Sequence, residues 1–265
     1  MTAVADALAR AEAENRAALI GYLPVGYPSV EVSIDAMRAL VEGGADVVEV
    51  GVPYSDPVMD GPTIQAAAEP AVRAGVSITD ALQAVAAVAQ SGAAAVVMSY
   101  WNPIERYGVE RFAADLAAAG GSGAITPDLV PDEAAPWLAA TDTHGLDRIF
   151  LVAPSSSDAR IVSTAAASRG FVYAASTMGV TGARATVGGA AEALVTRVRA
   201  LAPGTPVCVG LGVSNGAQAA EVAAFADGVI VGSALVRCLL DSPDAGGVAA
   251  VRDLAADLAT GVRRA

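Results

Sequence analysis

Short apolar runs alternate along this chain with longer Ala-rich segments in which apolar residues return every three or four positions. The runs, rich in Val, Ile and Ala, read as strands buried on both faces, and the longer segments as amphipathic helices. The first run covers 17–23 and its helix 30–41. The run 46–51 leads through a loop to helical segments at 63–74 and 79–90. Next come 94–98, a loop at 99–108 and a helix at 109–119, then 123–126 with a helix at 132–140. The run 148–152 precedes a helix at 158–168, and 171–174 opens a long Gly/Thr stretch before a helix at 189–201. Finally 207–210 precedes 217–225, and 228–231 precedes 233–240. One further helix leads the chain and another closes it at 249–263.

Strands alternating with helices imply a parallel sheet with right-handed crossovers. Eight such units in 265 residues predict an α/β fold, a (β/α)8 TIM barrel with an extra N-terminal helix. No linker, charge run or low-complexity tract divides the chain, so 1–265 is expected to be a single domain. An open doubly wound sheet satisfies the same periodicity, which does not itself show closure.

The second strand carries the first candidate chemistry. Glu49 interrupts the apolar stretch Val47-Val48-Glu49-Val50-Gly51, and a buried acid without a partner is costly. The strand empties into a Pro/Gly-punctuated loop bearing Asp56 and Asp60. An acid on a strand with another on the following loop suits general acid/base work. The alternative is that Glu49 pairs with an arginine while Asp56 and Asp60 shape turns. Barrel chemistry sits where strands run out into their C-terminal loops, which places Glu49 and Asp60 at the mouth. The longest of these loops are expected after the second, third and sixth strands.

Three late segments look like a phosphate cradle: Ser176-Thr177-Met178-Gly179-Val180-Thr181-Gly182, Gly210-Leu211-Gly212-Val213-Ser214 and Val231-Gly232-Ser233-Ala234. Glycines expose backbone N–H groups, and a helix N-terminus adds the positive end of its dipole. Singly, Gly232-Ser233 also fits an ordinary helix cap, and Gly210-x-Gly212 part of a dinucleotide fingerprint. The stretch 177–188 suits a lid.

Composition then removes rivals. The chain has 16 Lys+Arg, all of them arginine, so Schiff-base catalysis, a pyridoxal-phosphate anchor and a P-loop lysine are excluded. A formal charge of −12 argues against nucleic acid or an anionic membrane. The lone histidine, His144 before Gly145, reads as a helix-end residue, and no metal-ligand set is visible. Cys208 and Cys238 read as free thiols rather than a disulfide. No signal core or membrane span is apparent, so a cytoplasmic location is expected.

With these residues assembled, the chain resembles the α subunit of tryptophan synthase over nearly its whole length. The resemblance rests on Glu49-Val50-Gly51-Val52-Pro53-Tyr54-Ser55-Asp56-Pro57, Asp60-Gly61-Pro62-Thr63-Ile64-Gln65, Asn102-Pro103-Ile104 and Tyr107-Gly108. It continues through Pro127-Asp128-Leu129, Gly179-Val180-Thr181-Gly182, Gly210-Leu211-Gly212 and Gly232-Ser233-Ala234. It implies a lyase that cleaves indole-3-glycerol phosphate to indole and glyceraldehyde 3-phosphate by a retro-aldol reaction. Family roles carried onto matching positions make Glu49 the acid/base and Asp60 the partner of the indole N–H. Phosphate would lie against Gly182, Gly212, Gly232 and Ser233. The indole pocket would take Tyr22, Met98, Tyr100, Pro127, Leu151, Tyr173 and Leu211, and Thr181 would close near Asp60. No cofactor is implied in this chain. The resemblance implies a pyridoxal-phosphate β subunit as partner in an αββα tetramer, met by loops 53–60 and 102–107, with indole passed through a tunnel.

Departures from the family pattern are Thr177-Met178 in place of a lid arginine, with Arg184 close behind, and Val58-Met59 in place of small residues. The latter imply altered packing against a partner. Two other readings stay open: a stand-alone indole-releasing lyase, and a catalytically silent barrel that only activates a β-like partner.

Overall fold

The computed structural model describes residues 2–175, 189–210 and 212–264. Its strands are β1 (Ala18–Pro24), β2 (Val47–Gly51), β3 (Ala94–Met98), β4 (Gly123–Ile125), β5 (Asp147–Ile149), β6 (Leu151–Val152), β7 (Val172–Ala175), β8 (Val207–Gly210) and β9 (Gly228–Val231). Every pairing among them is parallel, in the order β5-β4-β3-β2-β1-β9-β8-β7-β6. The two ends of that order are one extended stretch, because only Phe150 separates β5 from β6. The Ile149 carbonyl accepts from Thr126 N–H at 3.4 Å, and the Phe150 carbonyl from Tyr173 N–H at 3.1 Å. The hydrogen-bond ladder therefore changes neighbour within one strand, and the cylinder closes. The open-sheet alternative is removed.

Alternation within strands sorts side chains to two sides. Ala18, Ile20, Val47, Ala94, Val96, Ile125, Ile149, Phe171, Cys208 and Ile230 fill the barrel interior. The helix α1 (Ala3–Ala13) plugs the N-terminal end, packing Val4, Ala7, Leu8 and Ala11 against that interior. Outward residues such as Leu19, Val48, Val97, Phe150 and Val209 meet the surrounding helices. Those helices are α2 (Val30–Glu42), α3 (Pro62–Arg73), α4 (Ile78–Gln90), α5 (Trp101–Tyr107), α6 (Val109–Ala118), α7 (Ala135–His144), α8 (Asp158–Ala167), α9 (Gly189–Leu201), α10 (Gly216–Ala223), α11 (Ser233–Asp241) and α12 (Ala245–Gly261). Among the described residues, no single helix is long and apolar enough to cross a membrane.

Two expectations need correction. The segment 99–108 is not a loop, because α5 occupies most of it. Pro103 looks like a breaker but stands in the first turn, where its missing N–H would have no helical partner. The helix expected at 132–140 is a short 3-10 turn, Pro131–Glu133, followed by α7. His144 does end a helix: Gly145 follows in the left-handed conformation, and the ring lies 2.7 Å from Glu110. Cys208 and Cys238 are free thiols.

Candidate active site

Glu49 shares the inward face of β2 with Val47, opposite Tyr22 of β1. It is 1% exposed, and its Oε1 has no hydrogen-bond partner. Among the described residues no arginine pairs with it. Burial alone pushes its pKa up to about 8, so the acid is held protonated near neutrality.

Two residues further along the same face stands Gly51, and the Tyr22 ring lies against it. A Cβ at position 51 would fall 2.5 Å from the Tyr22 hydroxyl oxygen, so the glycine makes room for the ring. Gly210 does the same for Tyr173, whose hydroxyl would lie 2.4 Å from an added Cβ. Burial raises the pKa of both phenols well above the ordinary tyrosine value. The Asp60 and Glu49 charges push Tyr22 further up, and Glu49 does the same to Tyr173. Both hydroxyls are thus neutral donors facing the acids. Met98, Leu151 and Tyr173, half-buried above the barrel interior, form the apolar wall, and Pro127 turns the chain just after β4.

The 52–61 loop brings Asp60 over this chamber. The Tyr100 hydroxyl donates to Asp60 Oδ1 at 3.3 Å and accepts from Met59 N–H at 2.9 Å. Burial raises the Asp60 pKa, and the Tyr100 bond pulls it back. Tyr100 in turn stacks on Tyr54, centroids 4.9 Å apart, and the Tyr54 hydroxyl accepts from Asn102 Nδ2 at 3.1 Å. Asp56 stays outside this group, exposed, with Ser55 donating to it at 2.6 Å.

The cradle segments lie after β8 and β9 on the same end. Gly232 is the N-cap of α11, with no side-chain capping bond, so the first turn carries N–H groups that no side-chain cap covers. The nearest atoms that a Cβ at 232 would meet belong to Tyr22, at an ordinary 3.5 Å, and its φ of −122° and ψ of −75° lie outside the helical and extended regions. Gly212 has φ +71°, the left-handed region where glycine is at home. Gly182, Thr181, Leu211 and the 177–188 stretch, with Thr177-Met178 and Arg184, lie outside the described residues.

Tyr54 is absent from the residues expected from sequence. The only signal for it is an aromatic inside a proline-rich loop, and its contact with Tyr100 spans 46 positions that no local pattern reports. The glycines at 51 and 210 likewise carry no sequence mark of the rings they accommodate.

Taken together, the fold and its mouth define a class: a (β/α)8-barrel enzyme with a buried carboxylic acid, a second acid on a loop and an uncapped helix terminus on one rim. A family model described as tryptophan synthase alpha chain matches residues 8–259. The tryptophan synthase alpha chain of Thermobifida fusca is 62% identical over 268 residues, covering 100% of this chain and 99% of that protein. That of Mycobacterium marinum is 64% identical over 252 residues, covering 95% of this chain and 91% of the relative. A solved structure of Mycobacterium tuberculosis tryptophan synthase superposes with TM-score 0.93 at 60% identity, covering 99% of this chain and 98% of its own. The alpha subunit from Legionella pneumophila gives 0.90 at 32% identity, covering 99% and 98%. The chain belongs to the tryptophan synthase alpha chain family.

Proposed function

We propose that this chain is a carbon–carbon lyase that cleaves indole-3-glycerol phosphate to indole and D-glyceraldehyde 3-phosphate, the alpha reaction of L-tryptophan biosynthesis. The observation that carries the reading is the buried Glu49 inside the barrel mouth, raised to about 8 by burial and with no partner on its Oε1 among the described residues, with Asp60 on the facing loop.

The bond to be broken joins indole C3 to the first glycerol carbon. Protonation at C3 makes the ring an electron sink and leaves positive charge on its nitrogen. Asp60, held by Tyr100, is suited to accept the ring N–H and stabilise that charge. Loss of the proton from the hydroxyl on that first glycerol carbon then breaks its bond to C3 and forms the aldehyde. The bonding pair returns to the ring and yields neutral indole. The two proton sites, C3 and the hydroxyl oxygen, are bonded to the same carbon, so one carboxyl can serve both. Glu49 gives its proton to C3 and recovers one from the hydroxyl, ending as it began. A pKa near the working pH fits such a shuttle. Gly212, Gly232 and Ser233, with Gly182, hold the phosphate through backbone N–H groups and the α11 dipole. Tyr22, Met98, Tyr100, Pro127, Leu151, Tyr173 and Leu211 are assigned to the indole ring, and Thr181 is the residue that would close near Asp60.

Family membership implies a β-subunit partner. We read the assembly as an αββα tetramer in the cytoplasm, with pyridoxal phosphate in the β subunit and no cofactor in this chain, which folds as one domain over 1–265. The test is indole release from indole-3-glycerol phosphate, with and without added β subunit. Glu49→Gln and Asp60→Asn should each lower it at least about 100-fold. Indole release that survived both changes would remove the acid/base assignment, and a silent barrel would be left.

A further inference from the structure

Asp60 belongs to a loop, 52–61, that has no helix or strand of its own. A carboxylate that must meet a developing charge needs a fixed place, within a fraction of an ångström. Two contacts tie this end of the loop to the scaffold. Gln65 of α3 donates to the Asp60 carbonyl at 2.8 Å, which fixes the backbone. The Tyr100 hydroxyl holds the Met59 amide and the Asp60 carboxylate together, which fixes the side chain. The place of Asp60 is therefore set by the direction of the Tyr100 ring.

Tyr100 itself stands at the start of α5, with Trp101 N–H bonded to Asp128 at 2.9 Å. That bond fixes the backbone beside it, and the direction of the buried ring is set by what packs on it. One face of the ring is taken by Tyr54, stacked at 29° between planes. Tyr54 comes from the same loop as Asp60 and returns to α5 through Asn102. A closed circuit results: the loop grips the phenol at two points, by its tyrosine on the face and by Met59 and Asp60 on the hydroxyl.

We propose that Tyr54 is a positioning residue for Asp60, acting through Tyr100: its ring, clamped by Asn102, fixes the phenol that holds the acid. The proposal rests on Asp60 having the role given above. It makes a specific kinetic demand. Phosphate and indole wall supply most of the substrate's ground-state affinity, and Asp60 acts on charge that appears after binding. Loosening Asp60 should therefore lower kcat and spare KM.

The experiment measures indole release by the full chain and by its complex with a β subunit. Tyr54→Leu removes the stack and should lower kcat about tenfold with KM changed less than about twofold. Tyr54→Phe keeps the stack and should recover kcat to within about threefold of the parent. Tyr54→Phe and Asn102→Ala delete the same hydrogen bond, so their effects on kcat should not add in the double variant. This pair carries the test even where Tyr54→Leu fails to fold. A folded Tyr54→Leu with parental kcat, a loss confined to KM, or additive effects of the pair would overturn the proposal. Asp60→Asn separates the two layers. If it abolishes turnover while the Tyr54 variants are silent, only the positioning role is lost. If Asp60→Asn is itself active, the reading beneath it goes.

Discussion

A carboxyl sunk among Val47, Val96 and the tyrosine rings, with no arginine beside it among the described residues, is costly to ionise. That cost has a sign in stability. The folded pKa of Glu49 is about 8 against 4.5 for the free side chain, so between those values the folded chain binds more protons than the unfolded one. Stability should fall as pH rises through this window, and the loss is complete above it. Glu49→Gln removes the penalty. The variant should gain on the parent by up to a few kcal/mol at pH 8.5 while matching it near pH 5, as read by urea unfolding at the two pH values. The same change should lower kcat by about 10²–10⁴-fold, measured as indole release. An acid that weakens its own fold in this way supports the catalytic role proposed for Glu49. Tyr100→Phe makes a second, milder case. It leaves Asp60 without its hydroxyl donor, so the carboxyl's pKa should rise, and a ¹³C-carboxyl titration would report the upward shift.

At the scale of elements, the rim of the barrel divides the labour. The end of β2 and its loop hold the two acids proposed for proton chemistry, while the start of α11 offers backbone N–H groups and a positive dipole end. Ser233→Asp places a negative charge in that terminus and should raise KM for the phosphate ester at least tenfold; a KM that does not move would take Gly232-Ser233 out of the site. The helix α1 does different work. Leu8 packs into the barrel floor at 8% exposure, so Leu8→Ala should cost about 2–3 kcal/mol in unfolding experiments, with kcat per folded molecule retained. The strands and most helices were legible because burial imposes periods of two and 3.6 on the sequence. Helix α5 was not, since Asn102-Pro103 reads as a stop unless one knows that the proline falls in a first turn. Glu49 and Asp60 were visible from an acid breaking an apolar strand and an acid on its loop. Tyr54 was invisible, because what gives it meaning is a ring on another loop, and loop-to-loop contacts leave no period.

For the whole molecule, closure through one strand fixes where every loop points. The side chains of Val58 and Met59 are 79% and 38% exposed on the same face as the chemistry. Family membership supplies a β subunit, and an exposed apolar pair at the mouth is suited to be covered by one. Val58→Asp should weaken association with a β subunit at least tenfold by calorimetric titration, a cost set by burying an unpaired charge.

The plug formed by α1 has a consequence for traffic. Val4, Ala7, Leu8 and Ala11 fill the floor and close the N-terminal end of the barrel. Entry and exit are left to the opposite rim, where the loops after the strands lie. An uncharged ring and a charged triose phosphate would both pass that rim, and a β subunit covering it would set which of them reaches water.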